Sequence, residues 1–239
     1  MGKLENIVFI HGFMNDGNIW RKWVSLLKKS GFKCASPSWN GKTFQSCNFY
    51  EALEVYMSYI KKLDSKPIII GHSIGGAIAQ KLLEKGYGKA GVFINSGPTK
   101  GLSILDKNFI LSNLELINPL SKRSNILMGP RWYNKYVTNE MTYSQTVKFI
   151  NENCLSANRN VLKTIPKVNF EEVKYPLLFI AGGKDKSQPL KLNYKNFKAY
   201  KNSDKKEFKV FENATHNIIC QNGWEKVANY IINWINETF

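Results

Sequence analysis

Gly71-His72-Ser73-Ile74-Gly75 follows the apolar run Pro67-Ile68-Ile69-Ile70 and precedes small and apolar residues at helical spacing. A serine that is to attack a carbonyl needs its hydroxyl held clear of its own backbone, at the mouth of a sheet, within reach of a base. A sharp strand-to-helix turn provides that and crowds the backbone so closely that its flanking positions cannot carry side chains. Gly71 and Gly75 meet that requirement, while Gly76 and Ala77 let the following helix lie against the strand. Gly-x-Ser-x-Gly alone is a common pattern. The strand before it and the helix after it identify Ser73 as a candidate nucleophile.

A base must stand beside such a serine, and the chain has three histidines. His72 lies inside the turn, where backbone geometry points it away from the serine hydroxyl. His11 sits in a tight turn between the strand-like Ile7-Val8-Phe9-Ile10 and Gly12. His216, in the polar loop after the alternating run Phe208-Lys209-Val210-Phe211, is the free imidazole and the candidate base. A carboxylate should then fix its tautomer. Of the aspartates, Asp16 and Asp64 belong to a loop and a helix end, and Asp204 to a charged connector. Asp185 ends the apolar strand Leu177-Leu178-Phe179-Ile180-Ala181-Gly182, where parallel sheets collect their ligands. Asp106, a short way past the strand Val92-Phe93-Ile94, is its one rival.

The order Ser73, Asp185, His216 resembles that of the α/β-hydrolases, specifically a small, lidded serine esterase. The resemblance spans nearly the whole chain and is carried by His11-Gly12-Phe13, Gly71-His72-Ser73-Ile74-Gly75-Gly76, Gly182-Gly183-Lys184-Asp185 and His216. It implies an oxyanion hole made by the backbone amides of Phe13 and Ile74, with Met14 taking the place of Phe13 if the first loop is offset. It implies cofactor-free hydrolysis of a small carboxylic ester or thioester through an acyl-enzyme on Ser73. Relatives with an aspartate nucleophile, the haloalkane dehalogenases and epoxide hydrolases, are excluded by Ser73. Hydroxynitrile lyases carry Thr and Lys where this chain has Gly12 and Asn217. Perhydrolase or haloperoxidase-type relatives, and receptor-like relatives with little turnover, share the same three residues and stay open as alternatives.

Among the elements that must position these residues, strands are expected at about 6–10, from Phe32 to Ala35, before Ser73, at Ala90–Ile94, before Asp185 and at Phe208–Phe211. Helical faces come from Ile19-Trp20-Trp23-Leu26-Leu27, from Phe49-Leu53-Met57-Ile60 and from Trp224-Val227-Ala228-Ile231-Ile235. This alternation predicts a mostly parallel sheet flanked by helices, and the resemblance above implies that it is the α/β-hydrolase fold. The alternation breaks between the fourth and fifth strands. The core is thus expected at 1–97 and 171–239, with 98–170 an inserted helical cap in a single domain. Most apolar residues of the insert, among them Phe109, Ile110, Leu111, Leu127, Tyr133 and Tyr136, are expected to anchor it to the core. Met128 and Trp132, with Met14 of the first loop, are the candidate substrate-binding side chains.

The 239 residues suffice for one large core, and no apolar run is long enough for a membrane span. Because the first residues run directly into a strand, no signal peptide is expected. With Cys34, Cys47, Cys154 and Cys220 read as free thiols, a cytoplasmic protein without a metal site is expected. A glycan on the sequon Asn213-Ala214-Thr215 would crowd His216, which points the same way. The net charge of +16 comes from 30 lysines and 4 arginines scattered in ones and twos, unlike the clustered arginines of nucleic-acid binders. The expected partner is therefore a neutral, largely apolar ester and no nucleic acid, with the lysines forming a solvated surface.

Overall fold

The computed structural model describes residues 5–41, 45–118, 120–121 and 123–239. Six strands form one sheet in the order β2-β1-β3-β4-β7-β8, every neighbouring pair parallel. They are β1 (Asn6–Ile10), β2 (Lys33–Ala35), β3 (Ile68–His72), β4 (Ala90–Ile94), β7 (Leu177–Gly182) and β8 (Lys206–Phe211). The remaining pair, β5 (Asn125–Ile126) and β6 (Ala157–Asn158), is a short antiparallel ribbon outside the sheet.

Strands β1, β3, β4 and β7 are buried along their whole length, as parallel strands covered on both faces must be. Successive residues feed opposite layers. Val8, Ile10, Ile69, Phe93 and Phe179 pack toward α2 (Phe49–Ile60) and α3 (Ile74–Glu84). Ile7, Phe9, Ile68, Ile70 and Val92 pack toward α1 (Arg21–Lys29) and α9 (Trp224–Asn236), which supply Trp23, Leu27, Val227 and Ile231. From β1 the chain passes outward to β2 and returns to β3 on the other side of β1. The helices that follow β1 and β3 therefore lie on opposite faces, and a crevice opens at the carboxyl ends of those two strands.

Between β4 and β7 the chain forms the cap: α4 (Lys107–Ile117), α5 (Pro130–Tyr136), α6 (Tyr143–Asn153), α7 (Asn160–Lys163) and the β5–β6 ribbon. The ribbon is too short to leave a periodic signature in sequence. Trp132, Tyr133 and Tyr136 of α5 do anchor the cap in the core, but Ile110, Leu111 and Leu127 are exposed. One core helix, α8 (Leu190–Ala199), has no apolar stripe in the sequence because its buried face includes Asn193 and Asn196 beside Leu192. Asn193 is satisfied there, accepting from the Ser96 amide at 2.9 Å and donating to the Gln188 carbonyl at 2.8 Å.

Candidate active site

Ser73 stands between β3 and α3 with φ 56° and ψ −126°, left-handed backbone that a non-glycine residue adopts only at a cost of about 1–3 kcal/mol. Three backbone hydrogen bonds hold it there. Its N–H donates to the Ile94 carbonyl at 3.1 Å, and its own carbonyl accepts from Gly97 at 2.8 Å and Gly76 at 2.9 Å. A Cβ on Gly71 would collide with the Gly75 carbonyl, and one on Gly75 with that of Ile10, so the turn cannot close around larger residues.

The structure brings Ser73, His216 and Asp185 into one hydrogen-bonded line. His216 Nδ1 donates to Asp185 Oδ2 at 2.8 Å, which leaves Nε2 as the acceptor facing Ser73 Oγ at 3.1 Å. The other carboxylate oxygen of Asp185 accepts the Ser187 and Gln188 amides, each at 2.7 Å. Asp106 is elsewhere, capping α4 by accepting the Phe109 amide at 2.9 Å.

The loop bearing His216 is held from two sides. On the core side, His72 Nε2 donates to the His216 carbonyl at 2.8 Å. Asn95, left-handed at φ 43° just past β4, donates to the Thr215 carbonyl at 2.8 Å and accepts the Gly182 amide at 2.7 Å. One buried amide thus ties the end of the strand before Asp185 to the loop of His216. On the cap side, Glu140 accepts from Thr215 Oγ1 at 2.8 Å and Asn217 Nδ2 at 3.1 Å, the residues flanking His216. The Val137 carbonyl accepts the Asn217 amide at 3.1 Å. Neither Asn95 nor Glu140 stands out in the sequence. The one available signal is an asparagine directly after a strand, where left-handed backbone is tolerated.

The two other histidines are kept neutral by burial, which pushes His11 down to about 4 and His72 to about 3. His11 donates from Nδ1 to the Gly12 carbonyl at 3.0 Å, accepts the Trp39 amide at Nε2 and stacks on the Trp39 ring. It thereby braces the loop that passes over Ser73.

That loop and the cap enclose a cavity of about 430 Å³ with Ser73 and His216 in its wall. Phe13 and Ile74 are among its lining residues, and the amide of neither donates to an acceptor among the described residues. Met14 and Trp132 also line it. Met128 does not: it stands behind Met14, its amide 3.4 Å from the Met14 sulfur.

A family model described as the alpha/beta hydrolase family matches residues 7–229. The chain belongs to that family. Among solved structures, this chain is similar to a methylesterase from Arabidopsis, with 18% identity, 98% of this chain and 99% of that one covered, and a TM-score of 0.76. It is also similar to a monoacylglycerol lipase from Paleococcus ferrophilus, at 18% identity, 100% and 97% coverage and a TM-score of 0.75. An extracellular α/β-hydrolase from a Paenibacillus species matches at 18% identity, 96% and 98% coverage and a TM-score of 0.77. At such identities the likeness concerns the fold. A search of curated proteins finds no match. No helix among the described residues is long and apolar enough to cross a membrane.

Proposed function

We propose that this hydrolase cleaves a small carboxylic ester or thioester through an acyl-enzyme on Ser73. The observation that carries the reading is the unbroken hydrogen-bonded line from Ser73 Oγ through His216 to a carboxylate fixed by two backbone amides. His216 Nε2 takes the hydroxyl proton as Ser73 Oγ attacks the carbonyl carbon. Asp185 holds the imidazole in the tautomer that can accept and stabilises the imidazolium that forms. The negative charge on the former carbonyl oxygen falls to the Phe13 and Ile74 amides, the second at the positive end of α3; such donors contribute about 10²- to 10³-fold each. His216 then protonates the departing alkoxide or thiolate. Water enters, gives its proton to His216 and attacks the acyl carbon, freeing the acid and restoring Ser73. The cycle calls for no cofactor.

Trp132, Phe13 and Val137 give the cavity an apolar wall for the acyl or alcohol group. The methylesterase and the lipase named above are esterases by description, which agrees with this chemistry. A fluorophosphonate probe should label Ser73 alone, and Ser73→Ala should lower turnover of a nitrophenyl ester by about 10⁴-fold or more with the fold intact. Labelling at another residue, or activity kept by the alanine variant, refutes the assignment. A single turnover followed by arrest would instead favour the receptor-like reading.

A further inference from the structure

Among the described residues, all six exposed leucine and isoleucine side chains lie between positions 105 and 127, in the cap. Helix α4 lies at the centre of this patch. Phe109, Asn113, Leu116 and Ile117, spaced as one helical face, line the cavity. The opposite face carries Ile110, Leu111 and Leu114, the last 57% exposed, and Leu105 and Leu120 flank the helix at 100% and 90%. A helix that is apolar on both faces is normally buried on both. Here one side forms the wall of the cavity and the other is open to solvent.

Scattered single exposed leucines are ordinary, but several on one face of a helix and on the segments flanking it, beside a cavity, mark a contact surface. Its charge selects the occupant. Lys107 on α4, and Lys100 and Arg123 in the segments before and after it, are exposed. Glu115, the exposed acid of α4, sits near Lys135 of the neighbouring helix, and Asp106 is engaged as the helix cap. A second copy of this chain would bring another net charge of +16 against the first. An anionic lipid surface matches both properties at once, since aliphatic tips enter the acyl boundary while flanking lysines and arginines meet the headgroups.

We propose that the outer face of α4, with Leu105 and Leu120, docks on an anionic lipid surface. Resting on the esterase reading above, the ester this enzyme takes is then an amphiphile held at that surface. It passes along α4 into the cavity, because the same helix forms both the docking face and the cavity wall.

The test is flotation of the purified protein with vesicles of phosphatidylcholine alone and of phosphatidylcholine mixed with phosphatidylglycerol, at low and high salt. Turnover of a soluble nitrophenyl ester is followed on the same samples. The protein should float with the mixed vesicles at low salt and largely release at high salt. The double variant Leu111→Asp, Leu114→Asp should bind them more than about tenfold less tightly, with unchanged circular dichroism and soluble-ester turnover. Leu105→Asp, in a loop, should act in the same direction should the double variant fail to fold. The proposal is overturned if the wild type floats with neither vesicle, if the variants float as well as wild type, or if sedimentation shows a dimer that the variants split. It is likewise overturned if an acidic protein occupies the patch and the vesicles do not. Docking without turnover of the soluble ester would instead overturn the esterase reading and leave the lipid surface standing.

Discussion

Core and cap grip the same histidine loop by different means. The core does so with two buried side chains, His72 and Asn95, whose hydrogen bonds go to main-chain carbonyls. The cap does so with one main-chain bond, from the Asn217 amide to the Val137 carbonyl, and with an exposed carboxylate, Glu140, whose hydrogen bonds go to side chains on either side of His216. A buried bond removed leaves its partner without water, whereas an exposed one is largely replaced by solvent. The core grip should therefore set the position of the imidazole, and the cap grip should adjust it.

The aspartates offer the sharpest way to break this contrast, since Asp185 is on the core side and Asp106 in the cap. Asp185→Asn should lower turnover by about 10³- to 10⁴-fold without unfolding the chain, because the amide favours the wrong imidazole tautomer. Asp106→Asn should change turnover little, its role being to cap α4. The reverse outcome would transfer the acid to the cap.

A smaller effect is expected at the two grips themselves. Asn95→Asp keeps the acceptor for the Gly182 amide but sets a carboxylate against the Thr215 carbonyl, so kcat should fall by about 10²-fold through displacement of His216. Glu140→Ala should cost only about three- to tenfold in kcat, the worth of a net hydrogen bond or so. Steady-state kinetics on a soluble ester checks both. A larger loss at Glu140 than at Asn95 would show that the cap, and not the core, places the base.

A separate test of the core side concerns pH and stability. His11 and His72 are held below their unfolded pKa, so the unfolded chain binds more protons than the folded one once pH drops below about 6.5. Stability is complete above that point. It should fall with acidification toward about 4 for His11 and about 3 for His72. The slope should approach about 1.4 kcal/mol per pH unit for each histidine. Urea unfolding between pH 7 and 4.5 measures it, and His72→Asn should remove about half. A flat profile would mean that neither imidazole is desolvated.

The sheet, and the meeting of Ser73, Asp185 and His216 at its carboxyl edge, were legible in the sequence because the strand and turn signals that place them are local. Buried parallel strands read as apolar runs, and glycines mark the turn where backbone passes within contact of backbone. Helix α8 was not legible, because two asparagines, Asn193 (paired to Ser96 and Gln188) and Asn196, occupy its buried face and erase the period. Glu140 could not be found, since its partners are more than seventy residues away in the chain. The apolar residues of the insert were read as anchors because sequence records that a residue is apolar and not which way it faces. Ile110, Leu111 and Leu127 face outward.

The left-handed backbone of Ser73 has a consequence for how this protein can be improved or can decay. Glycine would sit at φ 56° without strain, so replacing the serine relaxes the turn while deleting the hydroxyl. Any selection that rewards heat resistance alone is therefore drawn toward a sturdier and silent molecule. Directed evolution on this scaffold has to score activity in every round, because the easiest gain in robustness lies at the residue to which the proposed reaction assigns the attack.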